Sequence, residues 1–284
     1  MGGVGPQHRG SAANGVAGTQ AVVNSRLWED DNHVAEYANR ILRPVETVLL
    51  ARYRERFAGR VLEIGCGGGR LLGYFLALDG EVHGIDVSPA MLDYCRRVYP
   101  QANVRLGDLR ELTPDSHGPY DVVFASNNVL DVLPDDERRR VLRDAAALIA
   151  PGGLLIFSSH NLAQFDGVEM PAAAPRRRGA ELLSKLAYCP PAVAVHGALS
   201  MPRRIRNHRR LAPLEHRASD HAVLNDLSHD YGLLHYYIAR DDQARQLSEL
   251  GYELVECRDL EGLVVAAGQR TLTTELHYVA RPAV

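Results

Sequence analysis

Val61-Leu62-Glu63-Ile64-Gly65-Cys66-Gly67-Gly68-Gly69-Arg70-Leu71-Leu72 is the stretch whose reading decides the fold. Residues 61–64 read as a short buried strand, and Leu71 and Leu72 as the first apolar residues of a helix. Three of the five residues after Gly65 are glycine. That density calls for positive φ, or for backbone lying against something that leaves no room for a Cβ. A strand, a glycine turn and a helix in series aim the helix's free N–H groups at the turn, where an anionic or polar ligand can sit.

The dinucleotide fingerprint G-x-G-x-x-G/A fits at Gly65 and Gly67 but places Arg70 third. The loop instead reads E-x-G-x-G-x-G, with Glu63 two residues before the first glycine. In this form it resembles the first motif of the class I S-adenosylmethionine-dependent methyltransferases. The resemblance implies that Gly65, Cys66, Gly67 and Gly69 cradle the methionine part of the cofactor and that Glu63 helps to order it. An ordinary tight strand–helix turn is the plain alternative.

The next segments add to the resemblance. Residues 81–86 read as a second strand ending in Asp86, 21 residues after Gly65. A right-handed crossover places the ends of both strands on one sheet edge, where a carboxylate can accept both hydroxyls of a ribose. Ser88 and Pro89 account for the cap of the following helix and leave Asp86 and the adjoining Val87 for the ligand. Met91 packs either on an adenine face or in the core. A third strand, 103–106, runs into Gly107-Asp108-Leu109, where the resemblance puts an acid on the adenine amino group and a backbone contact beside it. A fourth, 120–125, is followed by Asn127 and Asn128, which either hold the cofactor's amino-acid group or the acceptor, or form an asparagine turn.

Pro134 opens a helix whose first turn is acidic and whose Arg138, Arg139 and Arg140 read as a solvated face. Pro151-Gly152-Gly153 leads into a fifth strand, 154–157, emerging at His160. An imidazole at the C-terminal end of a strand beside the methyl donor is the chain's best general-base candidate. Residues 253–257 and 273–280 read as the last two strands. The resemblance makes them a hairpin closing a seven-stranded, mostly parallel Rossmann-like α/β sheet with its last strand antiparallel and helices on both faces.

The other regions are less specific. Residues 1–25 read as a disordered tail without the pattern of a signal peptide. Residues 33–57 read as helix broken near Pro44. The resemblance lays this helix over the cofactor, turning Trp28, His33 and Tyr37 towards the ligand; simple helix packing is the alternative. Residues 162–233 read as an insertion covering the active site, between the two parts (26–161 and 234–284) of a methyltransferase domain. From 176 to 217 this insertion carries ten Lys and Arg against Glu181 and Glu215. It suits an acidic substrate, a carrier partner or RNA, or else a solvated loop. His235 or Tyr236 is expected to reach the pocket.

The 284 residues suffice for a sizeable core. The net charge of −3 gives no argument for a nucleic-acid or membrane partner. Cys66, Cys95, Cys189 and Cys257 lie too far apart for a C-x-x-C pair, which suits a reducing cytoplasm. No metal-ligating set is expected, and self-association is left open. The reading is transfer of a methyl group from S-adenosyl-L-methionine to an oxygen or nitrogen of a small molecule, natural-product intermediates included. RNA methylation, a nicotinamide oxidoreductase and a non-catalytic cofactor-binding protein are the alternatives.

Overall fold

A computed structural model describes residues 41–113, 118–165 and 191–283, without the side chains of 191–199. Trp28, His33 and Tyr37 lie outside the described residues.

Pro44 stands at the first position of α1 (Pro44–Arg52), where its missing N–H removes no helical bond. α2 (Arg54–Phe57) leads into β1 (Arg60–Ile64). There follow α3 (Leu72–Ala77), β2 (Glu81–Asp86), α4 (Pro89–Val98), β3 (Asn103–Leu106) and β4 (Tyr120–Ala125). α5 (Asp135–Ala146), β5 (Ile149–Asn161) and α6 (Pro191–Leu211) come next. β6 (His216–Arg217), β7 (His221–Leu224), β8 (His235–Ile238), α7 (Arg240–Glu249), β9 (Tyr252–Arg258) and β10 (Glu275–Pro282) complete the order.

Strand alternation sorts the apolar side chains into two cores. Val61, Val122, Phe124, Ile156 and Val279 face α1 to α4, where Phe57, Phe75 and Phe124 pack ring against ring. Their sequence neighbours Leu62, Val123, Ala125, Phe157 and Tyr278 face α5 and α7. Both faces are covered, which is why these strands read as continuous apolar runs.

β3, β2, β1, β4 and β5 pair in parallel in that order. β10 runs antiparallel to β5 and to β9. Those seven strands match the expected sheet. The observed sheet has ten, and the expectation of seven is corrected by β6, β7 and β8. Regular structure therefore resumes well before Leu234: α6 and the β6–β7 hairpin lie within the stretch read as an insertion, and β7 pairs with β8.

The three extra strands attach at one place. β10 occupies one edge of β5 from Leu155 to His160. β4 pairs on β5 as far as Phe157, and β8 pairs with it at His160 and Asn161. β4 and β8 therefore share the other edge, β8 continuing where β4 stops. β5 overshoots the parallel sheet, and β8 builds a wall beyond the edge at which α/β proteins hold ligands.

Candidate active site

A cavity of about 900 Å³ opens at that edge. The glycine loop forms its floor. Gly67 has φ +51°, and a Cβ there would meet nothing within 4 Å, so the backbone is bare towards the cavity. Gly69, at φ +79°, faces the other way: its Cβ would lie 2.9 Å from Cys95 Sγ and the Tyr99 ring. Of the two, only Gly67 presents backbone to a ligand; Gly69 serves packing. Arg70, in the third fingerprint position, turns from the loop to Glu46 on α1 and forks onto both its oxygens at 2.6 and 2.7 Å.

Gly65, Gly67, Asp86, Val87, Met91, Asp108, Leu109, Asn127, Asn128 and His160 all line this cavity. Glu63 and Cys66 do not; both are buried. Burial holds the Glu63 carboxyl well above its usual range, against the pull of Arg70, and its Oε2 has no partner among the described residues.

The carboxylates have partners of their own. Asp86 Oδ2 accepts the Gly67 N–H at 2.8 Å and Oδ1 accepts the Ser88 N–H at 2.9 Å. It pins the loop to β2, so the sequence argument that Asp86 is left wholly to the ligand needs correcting. Ser88 Oγ does cap α4, accepting the Met91 N–H at 3.4 Å. Burial raises the Asp86 pKa, with those amides pulling the other way. Asp108 receives a fork from Arg110, through Nε at 3.0 Å and Nη2 at 2.5 Å. Burial would raise its pKa, but Arg110 holds it below the ordinary value.

Asn127 and Asn128 both adopt left-handed backbone with φ 57°, a region asparagine tolerates. Asn127 Oδ1 accepts from Arg43 at 2.8 Å, and Arg43 is also paired with Glu275. Asn128 donates to Glu275 Oε2 at 3.1 Å, while its buried Oδ1 has no partner among the described residues. Arg43 and Glu275, which also line the cavity, carry no sequence signal that would have found them.

At the far end His160 is held by Asp131, which is fully buried. Asp131 Oδ2 accepts the His160 backbone N–H at 2.6 Å and lies 2.9 Å from its Nδ1. Burial lowers the His160 pKa, but the hydrogen bond and charge of Asp131 outweigh it and the pKa is raised. Behind Asp131 stands Arg138, also fully buried, which donates to Gln243 and Gln246 at 2.6 Å and lies 4.5 Å from the Tyr236 ring centre. The solvated-face reading of the arginine run fails at this residue. Arg138 shares a helix stripe with Val141, Leu142 and Ala145, all buried.

β8 supplies the opposite wall. His235 and Tyr237 line the cavity. Tyr236, one residue out of phase, points away and donates to Asp135 at 2.7 Å. Asp226 receives Tyr237 OH at 2.5 Å and lies 2.8 Å from His235 Nδ1. Tyr237 and Asp226 were not singled out from sequence.

Residues 61–153 match the family profile described as "Methyltransferase domain". Over those residues, from β1 into β5, the chain is similar to methyltransferase domains. It is 29% identical over 145 residues to ubiquinone biosynthesis O-methyltransferase of Xanthomonas euvesicatoria pv. vesicatoria (strain 85-10), covering 50% of this chain and 59% of that one. It is 34% identical over 115 residues to dTDP-4-amino-2,3,4,6-tetradeoxy-D-glucose N,N-dimethyltransferase of Saccharopolyspora spinosa, covering 39% and 44%. The chain thus spans less than two thirds of these curated relatives. Among solved structures, the CcbJ methyltransferase from Streptomyces caelestis superposes with a TM-score of 0.57 at 21% identity, over 90% of this chain and 98% of that one. That likeness concerns the fold alone.

Proposed function

We propose that this chain is a methyltransferase that uses S-adenosyl-L-methionine to methylate an oxygen or nitrogen of a small molecule. The observation that carries the reading is the single cavity running from the bare Gly67 backbone, past Asp86 and Asn128, to His160. The residues fit the donor. The floor has room where a Cβ would stand, and Asn128 Oδ1 is a buried polar atom of a lining residue without a partner among the described residues. When bound, the cofactor supplies an electrophilic methyl group on a sulfonium leaving group. Gly67 would let it approach, Gly65 being closed off by Val129; Asp86 would meet its ribose, Asp108 and Leu109 its adenine, and Arg43, Asn127 and Asn128 its amino-acid end. The chain then aligns the acceptor and keeps out water. His160 faces the acceptor. Because Nδ1 is held by Asp131, Nε2 is the nitrogen open to the nucleophile's proton.

Relatives named as O- and as N-methyltransferases support both acceptor atoms. An RNA acceptor draws support from Arg203, Arg206, Arg209 and Arg210 of α6, but of the α6 arginines only Arg204 lines the cavity. Among the described residues no helix is long and apolar enough to cross a membrane. The free Cys66, Cys95 and Cys257 support a reducing, cytoplasmic setting. The test is incubation with methyl-labelled cofactor and a panel of hydroxyl and amine acceptors. Label is expected in at least one of them, with S-adenosylhomocysteine released in equal amount. Bound cofactor that no oxygen or nitrogen acceptor consumes would count against transfer.

A further inference from the structure

Two imidazoles meet at the acceptor end of the cavity. His160 closes β5 and His235 opens β8, and the β5–β8 pairing brings them together. Their ring centres are 4.8 Å apart, with the planes tilted by 32°. Each ring has Nδ1 against a carboxylate, Asp131 at 2.9 Å and Asp226 at 2.8 Å. For His160 this is a common orientation of a metal-binding histidine, one nitrogen on a carboxylate and the other free for an ion, whereas Asp226 stands beside the nitrogen that His235 itself would offer.

Asp226 belongs to the same group. His160, Asp226 and His235 can each offer one ligand atom, and the three atoms lie within 4.8 Å of one another. Two imidazoles bound to one ion through bonds of about 2.0–2.1 Å hold their ring centres roughly 5 Å apart, so the observed spacing needs little adjustment. Asp226 is also fixed from behind, by the Ser228 N–H at 2.8 Å and the Tyr237 hydroxyl at 2.5 Å. All three residues line the cavity, which leaves the remaining coordination positions open towards a ligand.

We propose that His160, Asp226 and His235 form a seat for one divalent first-row transition-metal cation at the acceptor end of the cavity. Two histidines and one carboxylate with open positions suit Fe(II), Co(II), Ni(II) or Zn(II) over the hard ions magnesium and calcium. The role of the cation rests on the transferase reading. There it draws charge from an acceptor oxygen and fixes its direction, and His160 becomes a ligand in place of a proton acceptor. The acceptor class this favours is a hydroxyl compound, above all one with a second oxygen close enough to chelate.

The experiment is equilibrium dialysis of the chelator-stripped full chain against Co(II), with metal analysis, beside calorimetric binding of S-adenosylhomocysteine to the same samples. One Co(II) per chain is expected. Its affinity should fall by at least about tenfold in His235→Gln and Asp226→Asn, with S-adenosylhomocysteine binding retained as evidence of folding. Absence of stoichiometric Co(II) binding to the parent protein overturns the seat without recourse to any variant. Undiminished binding in both folded variants does the same. Co(II) binding without S-adenosylhomocysteine binding supports the seat and overturns its assignment to methyl transfer.

Discussion

Asp131 meets His160 twice with one oxygen: Oδ2 takes the backbone N–H at 2.6 Å and faces the ring Nδ1 at 2.9 Å. Position and ring orientation are thus fixed by a single buried carboxylate. Asp131→Asn keeps the shape but replaces an acceptor with an amide that can turn either face to the ring. The expected loss in kcat/KM is about 10²-fold, with S-adenosylhomocysteine affinity unchanged. Steady-state kinetics and calorimetry on the same preparation check this. Equal losses in both would mean that Asp131 supports the whole site and not His160 in particular.

Gly67 separates stability from binding. A Cβ there enters open space, so Gly67→Ala meets only the left-handed backbone penalty of about 1–2 kcal/mol. That same Cβ stands where the cofactor must approach. Chemical denaturation should show a small loss and calorimetry a large one. A variant that binds S-adenosylhomocysteine like the parent would move the cofactor off this loop.

The Glu46–Arg70 pair gives a pH signature. Burial pushes the Glu46 pKa up, but the hydrogen bonds and charge of Arg70 outweigh it and the folded value is lowered. The pair's stabilisation is therefore present above the unfolded pKa, near 4.5, and is lost as pH falls through the lower folded value. Arg70→Met removes the partner, costing about 3–5 kcal/mol at neutral pH, and leaves burial to raise Glu46. The sign then inverts: the variant loses stability as pH rises from about 4 to neutrality. Urea unfolding at several pH values reads both slopes.

Arg138→Met leaves Asp131 buried without its ionic partner, at a cost of about 3–5 kcal/mol. The pH–rate profile should shift as well, because Asp131 in turn orients His160. A stability loss with an unchanged profile would reduce Arg138 to a core residue.

The sheet and the cofactor edge were legible because local signals carried them. Glycines, strand-end acids and apolar runs sit within one βα unit of each other, and the crossover rule places them in space. Arg138 was legible in principle, lying in phase with Val141 and Leu142, but a run of three arginines masks the helical period. Asp226 and Glu275 reach the cavity through pairings far from the glycine loop in sequence, whereas His235 was expected there as one of two neighbours and does line it. Nothing local distinguishes Asp226 from any other loop acid. The two asparagines, read only as alternatives, are bound to Arg43 and Glu275, one from before β1 and one from β10. Such long-range pairing has no period to betray it.

The central claim is that the cavity above Gly67 takes a methyl donor and not a dinucleotide. Its most direct test is calorimetric titration of the full chain with S-adenosylhomocysteine, with NADH as the parallel titrant and Asp86→Ala as the control. The account predicts micromolar binding of S-adenosylhomocysteine, lost in the variant, and no heat from NADH. Binding of NADH alone would contradict it.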